Sequence, residues 1–200
     1  AVGIQPNHTH EARPEDWAEI ETLATHPEVV AIGETGLDHY WDRAPLEIQR
    51  DYFERHIELG KSRQLPLVIH MRESADETSA LARRSCAEDI LQLLEACDAG
   101  PGVMHSYTGD AHMAGRFLGR QMDLSFAGMV TFKKSDDLRA VARQVPDDRL
   151  LIETDAPYLS PHPRRGQRPN EPALVAYTAA CLAETRGVSV DALAELTTRN

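Results

Sequence analysis

Six short apolar runs recur along the 200-residue chain: Ala1–Gln5, Val29–Glu34, Leu65–His70, Gly102–His105, Asp123–Ala127 and Leu150–Asp155. Each is too short for a helix of ordinary length and reads as a strand. The stretches between them carry apolar residues three and four apart. Pro14 opens one such stretch, with Trp17, Ile20 and Leu23 following, and Leu46, Tyr52, Phe53, Ile57 and Leu59 mark the next. Ile90–Leu94, Met113–Leu118, Leu138–Val145, Glu171–Arg186 and Asp191–Thr198 complete a series of predicted helices. Strands that alternate with helices build a parallel sheet covered on both faces. The step from strand to strand is about 35 residues for most of the chain, near the repeat of an eight-fold barrel. The pattern therefore predicts an α/β fold of the (β/α)8 TIM-barrel type, with about six of the eight units present.

The polar residues at the ends of these runs favour a barrel over an open sheet. Glu34 closes "VVAIGE", His70 closes "LPLVIH", His105 closes "GPGVMH" and Asp155 closes "LLIETD". In a barrel the C-terminal strand ends meet at one mouth, where catalytic residues sit. Two imidazoles and two carboxylates meeting there make a divalent-metal site. Alternation along a strand puts Ile32 with Glu34, Val68 with His70, and Glu153 with Asp155 on shared faces. Arg72 shares the His70 face and is a candidate contact for an anionic substrate. Glu153 reads as a partner for a basic side chain such as Arg72. The "HTH" of His8–His10 follows the turn "QPN" and reads as a loop, not as a ligand pair on a strand. His26, His39, His56, His112 and His162 carry no spacing signal and read as ordinary polar residues.

Composition narrows the picture. A hydrophobic content of 42% supports one sizeable core, so residues 1–200 read as one domain. No run approaches the roughly 18 uninterrupted apolar residues of a membrane span, so no membrane partner is expected. Cys86, Cys97 and Cys181 have no CxxC spacing and read as reduced thiols of a cytoplasmic protein, not zinc ligands. The formal net charge of −11 argues against a non-specific nucleic-acid coat, though bound cations reverse the sign locally. The basic clusters Lys133–Lys134 and Arg164–Arg165 with Arg168 read as solvated surface.

The segments "GIQPN", "IGETGLDHYW", "VIHMRES", "MHSYTG", "LSFAG", "LIETDAPYLSP" and "RGQRPNEP" resemble, in order and across nearly the whole chain, those of the TatD-type DNase family. The resemblance implies a metal-dependent hydrolase acting on ester bonds. It implies that Glu34 bridges two divalent ions, that His70 and His105 hold one, and that Asp155 holds the other and aligns the attacking water. Glu34 and Asp155 are then the catalytic pair. The native ions are expected among Mg²⁺, Mn²⁺ and Zn²⁺. The family's first strand, with its HxH pair, has no counterpart here, so the domain reads as incomplete at its N-terminus and also at its C-terminus. "GIQPN" has Gln5 and Asn7 where the family often has a histidine, and Pro169 interrupts "RNEP". The implied reaction is hydrolysis of phosphodiester bonds in DNA, or RNA, as a 3′–5′ exonuclease on single strands. The same cage also serves amide or ester hydrolysis, such as deacylation of aminoacyl-tRNA, and a truncated barrel could act without catalysis.

Overall fold

The computed structural model describes residues 1–75 and 85–200. Among them are seven α-helices and five β-strands, grouped in two compact units, Ala1–Met104 and His105–Asn200. No helix among the described residues is long and apolar enough to cross a membrane.

In the first unit, β1 (Ile32–Asp38), β2 (Leu67–Arg72) and β3 (Gly102–Met104) are parallel, in that order. Helices α1 (Pro14–Leu23), α2 (Leu46–Arg63) and α3 (Cys86–Ala96) alternate with them. Local chemistry sets their ends. Pro14 occupies the first turn of α1, where its missing N–H costs nothing. The α3 N-terminus is capped twice: Ser85 Oγ accepts from Glu88 N, and the Glu73 carboxylate accepts from Cys86 N (2.8 Å) and Ala87 N (3.0 Å). Ile32, Leu37, Phe53, Ile57, Ile69, Ile90 and Leu94 are wholly buried and form the core between sheet and helices.

The second unit holds α4 (Ala111–Gly119), β4 (Met122–Phe126), α5 (Asp136–Gln144), β5 (Leu150–Ile152), α6 (Val175–Arg186) and α7 (Val190–Arg199). Strands β4 and β5 are parallel, Leu124 opposite Leu150. Asp110 and Ser189 cap α4 and α7, and Gly187 ends α6 in the left-handed conformation. The core is Phe117, Met122, Leu124, Phe126, Val130, Leu150, Leu182 and Leu193. Tyr107 meets Phe117 and Phe126 edge to face, each at 6.3 Å.

The alternation of parallel strands and helices is the predicted α/β pattern, with differences at the strand ends. Strand β5 stops at Ile152, so Glu153 and Asp155 lie beyond it and not on a shared strand face as expected, and β2 runs two residues past His70. The run Ala1–Gln5 yields one parallel bridge, Val2 to Ile32, because Gln5 already caps a 3-10 turn over Pro6–Glu11. Strand β1 starts three residues later than the apolar run and continues four residues past Glu34. Glu34 therefore does not close its strand. Gly33 pairs with Val68 and Thr35 with Ile69, which leaves Glu34 as the extra residue of a β-bulge. The bulge breaks the i, i+2 alternation expected between Ile32 and Glu34 and re-aims the carboxylate. A Cβ at Gly33 would run into the Val68 carbonyl oxygen, and one at Gly36 into that of His70. Both glycines also have positive φ, 142° and 131°, so the bulged turn of chain needs glycine on either side of the carboxylate.

Candidate active site

Each unit brings one imidazole between two carboxylates. In the first, His70 lies on β2 and Glu34 at the β1 bulge. His70 Nδ1 is 2.7 Å from Glu34 Oε1, and His70 Nε2 is 3.0 Å from Asp38 Oδ2. The two carboxylates face opposite edges of one ring, so they cannot share an ion. Asp38 is the more deeply held, 2% exposed. Its Oδ2 also accepts from Asn7 Nδ2 at 2.8 Å, and its Oδ1 accepts from Tyr40 N and Trp41 N. Burial alone would raise the Asp38 pKa. Hydrogen bonds from His70, Trp41 N and Asn7 overcome that and lower it to about 2. For His70, burial favours the neutral ring, but the hydrogen bonds and charges of Asp38 and Glu34 outweigh it and raise its pKa.

The second unit repeats the arrangement from loop residues. His105 follows β3 directly, and Glu153 and Asp155 follow β5. His105 Nδ1 is 2.5 Å from Glu153 Oε2, and its Nε2 is 3.2 Å from Asp155 Oδ1. Glu153 is fixed in turn by the Ser106 amide, which donates to Oε1. The basic partner of Glu153 is thus His105 and not Arg72, the example expected. Ser106 and Asp155 both occupy the left-handed region, φ 46° and 56°. Non-glycine residues held there cost about 1–3 kcal/mol and gather at functional sites. The loop after Asp155 is braced by Asn170, 3% exposed, whose Nδ2 donates to Thr154 O (2.8 Å) and Tyr158 O (2.5 Å).

The other expected residues divide. Arg72, the last residue of β2, is exposed and stands over the rings of Tyr40 and Trp41. His8 and His10 lie in the Pro6–Glu11 turn beside Glu11, a loop as the "QPN" signal implied. The three cysteines are free thiols, and burial pushes the Cys86 thiol up. His56 and His39, read from the sequence as ordinary polar residues, are buried, 0% and 4% exposed.

Three residues of the site escaped the sequence reading. Asp38 carries a signal in retrospect, a second carboxylate four residues after Glu34 in "ETGLD". Asn7 and Asn170 carry none, because their partners lie 31 and 16 residues away.

Among the described residues no three His, Cys, Asp or Glu side chains gather as a preformed ion cage. The donor chemistry nevertheless fits a divalent cation. In each unit a ring nitrogen and a carboxylate oxygen lie 2.7–3.2 Å apart. Two ligands about 2.1 Å from one ion and at right angles to it would be roughly 3 Å apart. The carboxylate on the far edge of each ring is the outer partner that metal-binding histidines carry.

Known proteins share this framework. The family model described as TatD related DNase matches residues 1–200. The uncharacterized metal-dependent hydrolase YabD of Bacillus subtilis is 41% identical over 202 residues, covering 100% of this chain and 74% of that protein. The 3′-5′ ssDNA/RNA exonuclease TatD of a Rahnella strain is 31% identical over 203 residues, covering 100% and 73%. Among solved structures, the TatD homolog YJJV of Escherichia coli K12 superposes with a TM-score of 0.87 at 25% identity, over 100% of this chain and 73% of that one. With the motifs, the fold and these relatives in agreement, the chain belongs to the TatD-related DNase family and is a hydrolase.

Proposed function

We propose that the protein is a metal-dependent deoxyribonuclease that releases nucleotides from the 3′ end of single-stranded DNA, and of RNA, in the cytoplasm. The observation that carries this reading is the repeated sandwich of carboxylate, imidazole and carboxylate, His70 between Glu34 and Asp38 and His105 between Asp155 and Glu153. The naming of a relative 31% identical as a 3′-5′ ssDNA/RNA exonuclease supports the substrate class.

Glu34, His70, His105 and Asp155 are the proposed ligands of two divalent ions, Mg²⁺, Mn²⁺ or Zn²⁺. When bound, such ions supply an acidified water and neutralise charge on the phosphoryl oxygens. The chain's own residues do the rest. His70 would hold an ion through Nδ1 while its Nε2–H stays on Asp38, a contact that fixes tautomer and ring plane. Glu153 does the same for His105 through Nδ1. Asp155 presents Oδ1 to His105 Nε2 and leaves Oδ2 to orient the attacking water and accept its proton.

The test is release of nucleotides from end-labelled single-stranded DNA with Mg²⁺ or Mn²⁺ against EDTA, with Asp155→Asn alongside. Metal-dependent release that the variant loses, with the fold retained by circular dichroism, is the expected result. Release unaffected by Asp155→Asn overturns the assignment. Turnover of acyl substrates but not DNA gives the site to an amide or ester hydrolase.

A further inference from the structure

An aromatic pair stands exposed on the turn that leaves β1. The backbone of this turn is fixed from inside, because Asp38 Oδ1 accepts from Tyr40 N at 2.8 Å and Trp41 N at 3.0 Å. The two side chains point outward, Tyr40 42% and Trp41 44% exposed. Their rings meet edge to face, centroids 4.8 Å apart at 81°. Two arginines cover them. The Arg72 guanidinium is 4.3 Å from the Tyr40 centroid and 5.8 Å from that of Trp41, and Arg43 is 5.2 Å from Trp41. Neither guanidinium has a carboxylate partner among the described residues. In a chain of net charge −11, two cations with no carboxylate partner among the described residues, beside two exposed rings, mark a place prepared for a particular ligand.

Apolar contact alone would explain the rings but not the arginines, and phosphate binding alone would explain the arginines but not the rings. A nucleotide of a single strand has both parts, a flat base and an anionic phosphate. Aromatic side chains stack any base, and arginine adds cation–π and phosphate contacts. The position agrees. Arg72 lies two residues beyond His70 on one face of β2, a separation of about 7 Å along a strand, close to the length of one nucleotide in an extended chain.

We infer that Tyr40, Trp41, Arg72 and Arg43 form a platform that stacks an unpaired nucleobase and receives its adjoining phosphate, one nucleotide from His70. This rests on the nuclease reading and adds a subsite to it. Stacking of this kind is sequence-tolerant, so the platform selects unpaired strands and not particular bases.

The test is binding of a fluorescein-labelled oligo(dT) by anisotropy, in EDTA so that no turnover intervenes. Parent chain, Tyr40→Ala/Trp41→Ala and Arg72→Gln are compared, and nucleotide release with metal is measured in parallel. The double variant should bind about tenfold more weakly or worse, from the loss of stacking on two rings. An oligonucleotide with abasic sites should weaken binding by the parent but change nothing for the variant. A Trp17→Phe background leaves Trp41 as the sole indole, and its emission should be quenched as the strand binds. Equal affinity of parent and variants, with release intact, overturns the platform and leaves the nuclease reading standing. No binding and no release by the parent overturns both. Self-association of the parent, lost in the double variant, assigns the patch to a second copy and also overturns the proposal.

Discussion

His56 predicts how the protein loses stability in acid. The residue sits on α2 with no exposed surface and uses both ring nitrogens. Nδ1–H donates to Tyr52 O at 2.6 Å, and Nε2 accepts from Ile4 N at 2.9 Å. The ring also meets Trp17 edge to face at 4.9 Å. A proton on Nε2 would face the Ile4 N–H and bury a cation. Burial accordingly lowers the His56 pKa from 6.5 to about 4, against the opposing pull of the Tyr52 carbonyl. Between these two values the unfolded chain holds the extra proton, so stability rises with pH. The contribution is complete above pH 6.5 and is lost as pH falls toward 4. The full shift corresponds to about 3 kcal/mol, and the part lost between pH 7 and pH 5 is about 2 kcal/mol. Urea unfolding of the parent and of His56→Gln at pH 7, 6 and 5 isolates this share, since all other titrating groups are common to both. The variant should be the less stable at pH 7, and the gap should shrink by about 2 kcal/mol at pH 5, roughly 1 M in midpoint. A gap that stays constant across this range would refute the reasoning, as would an imidazole resonance of His56 titrating near 6.5.

Two further substitutions test the backbone and the outer partners. Gly36→Ala should cost roughly 2–4 kcal/mol in chemical denaturation, because its φ of 131° and the His70 carbonyl both oppose a Cβ. Gly100→Ala, which meets nothing within 4 Å, should change stability by less than about 0.5 kcal/mol. Asp38→Asn should weaken divalent-cation affinity about 10–100-fold by calorimetric titration, and unchanged affinity would remove Asp38 from the outer shell.

Helices were the most legible part of the sequence. The apolar spacing of Leu46, Tyr52, Phe53, Ile57 and Leu59 and of Ile90–Leu94, and the start signal at Pro14, are local, and local rules read them. Strand edges were less so. Val29 and Val30 read as the start of a strand, yet Val30 is 70% exposed, since apolar character alone does not say where pairing begins. The bulge at Glu34 was invisible because it is a relation between two strands 35 residues apart. The four proposed ligands were legible as residue types at run ends, but their partners were not. Asp38, Glu153 and Asn7 act through contacts that span 31 to 48 residues, and no periodicity encodes those. His56 shows the same limit: its bond to Ile4 spans 52 residues, so a core brace read as one more polar residue.

Asp38 holds the 38–41 turn through the amides of Tyr40 and Trp41 and not through their side chains. The identity of either ring is therefore separable from the course of the chain that carries it. A library that varies positions 40 and 41 while keeping Asp38 would change what is presented on an unchanged support. What this turn presents to solvent can then be changed at two surface positions without reopening the folding problem.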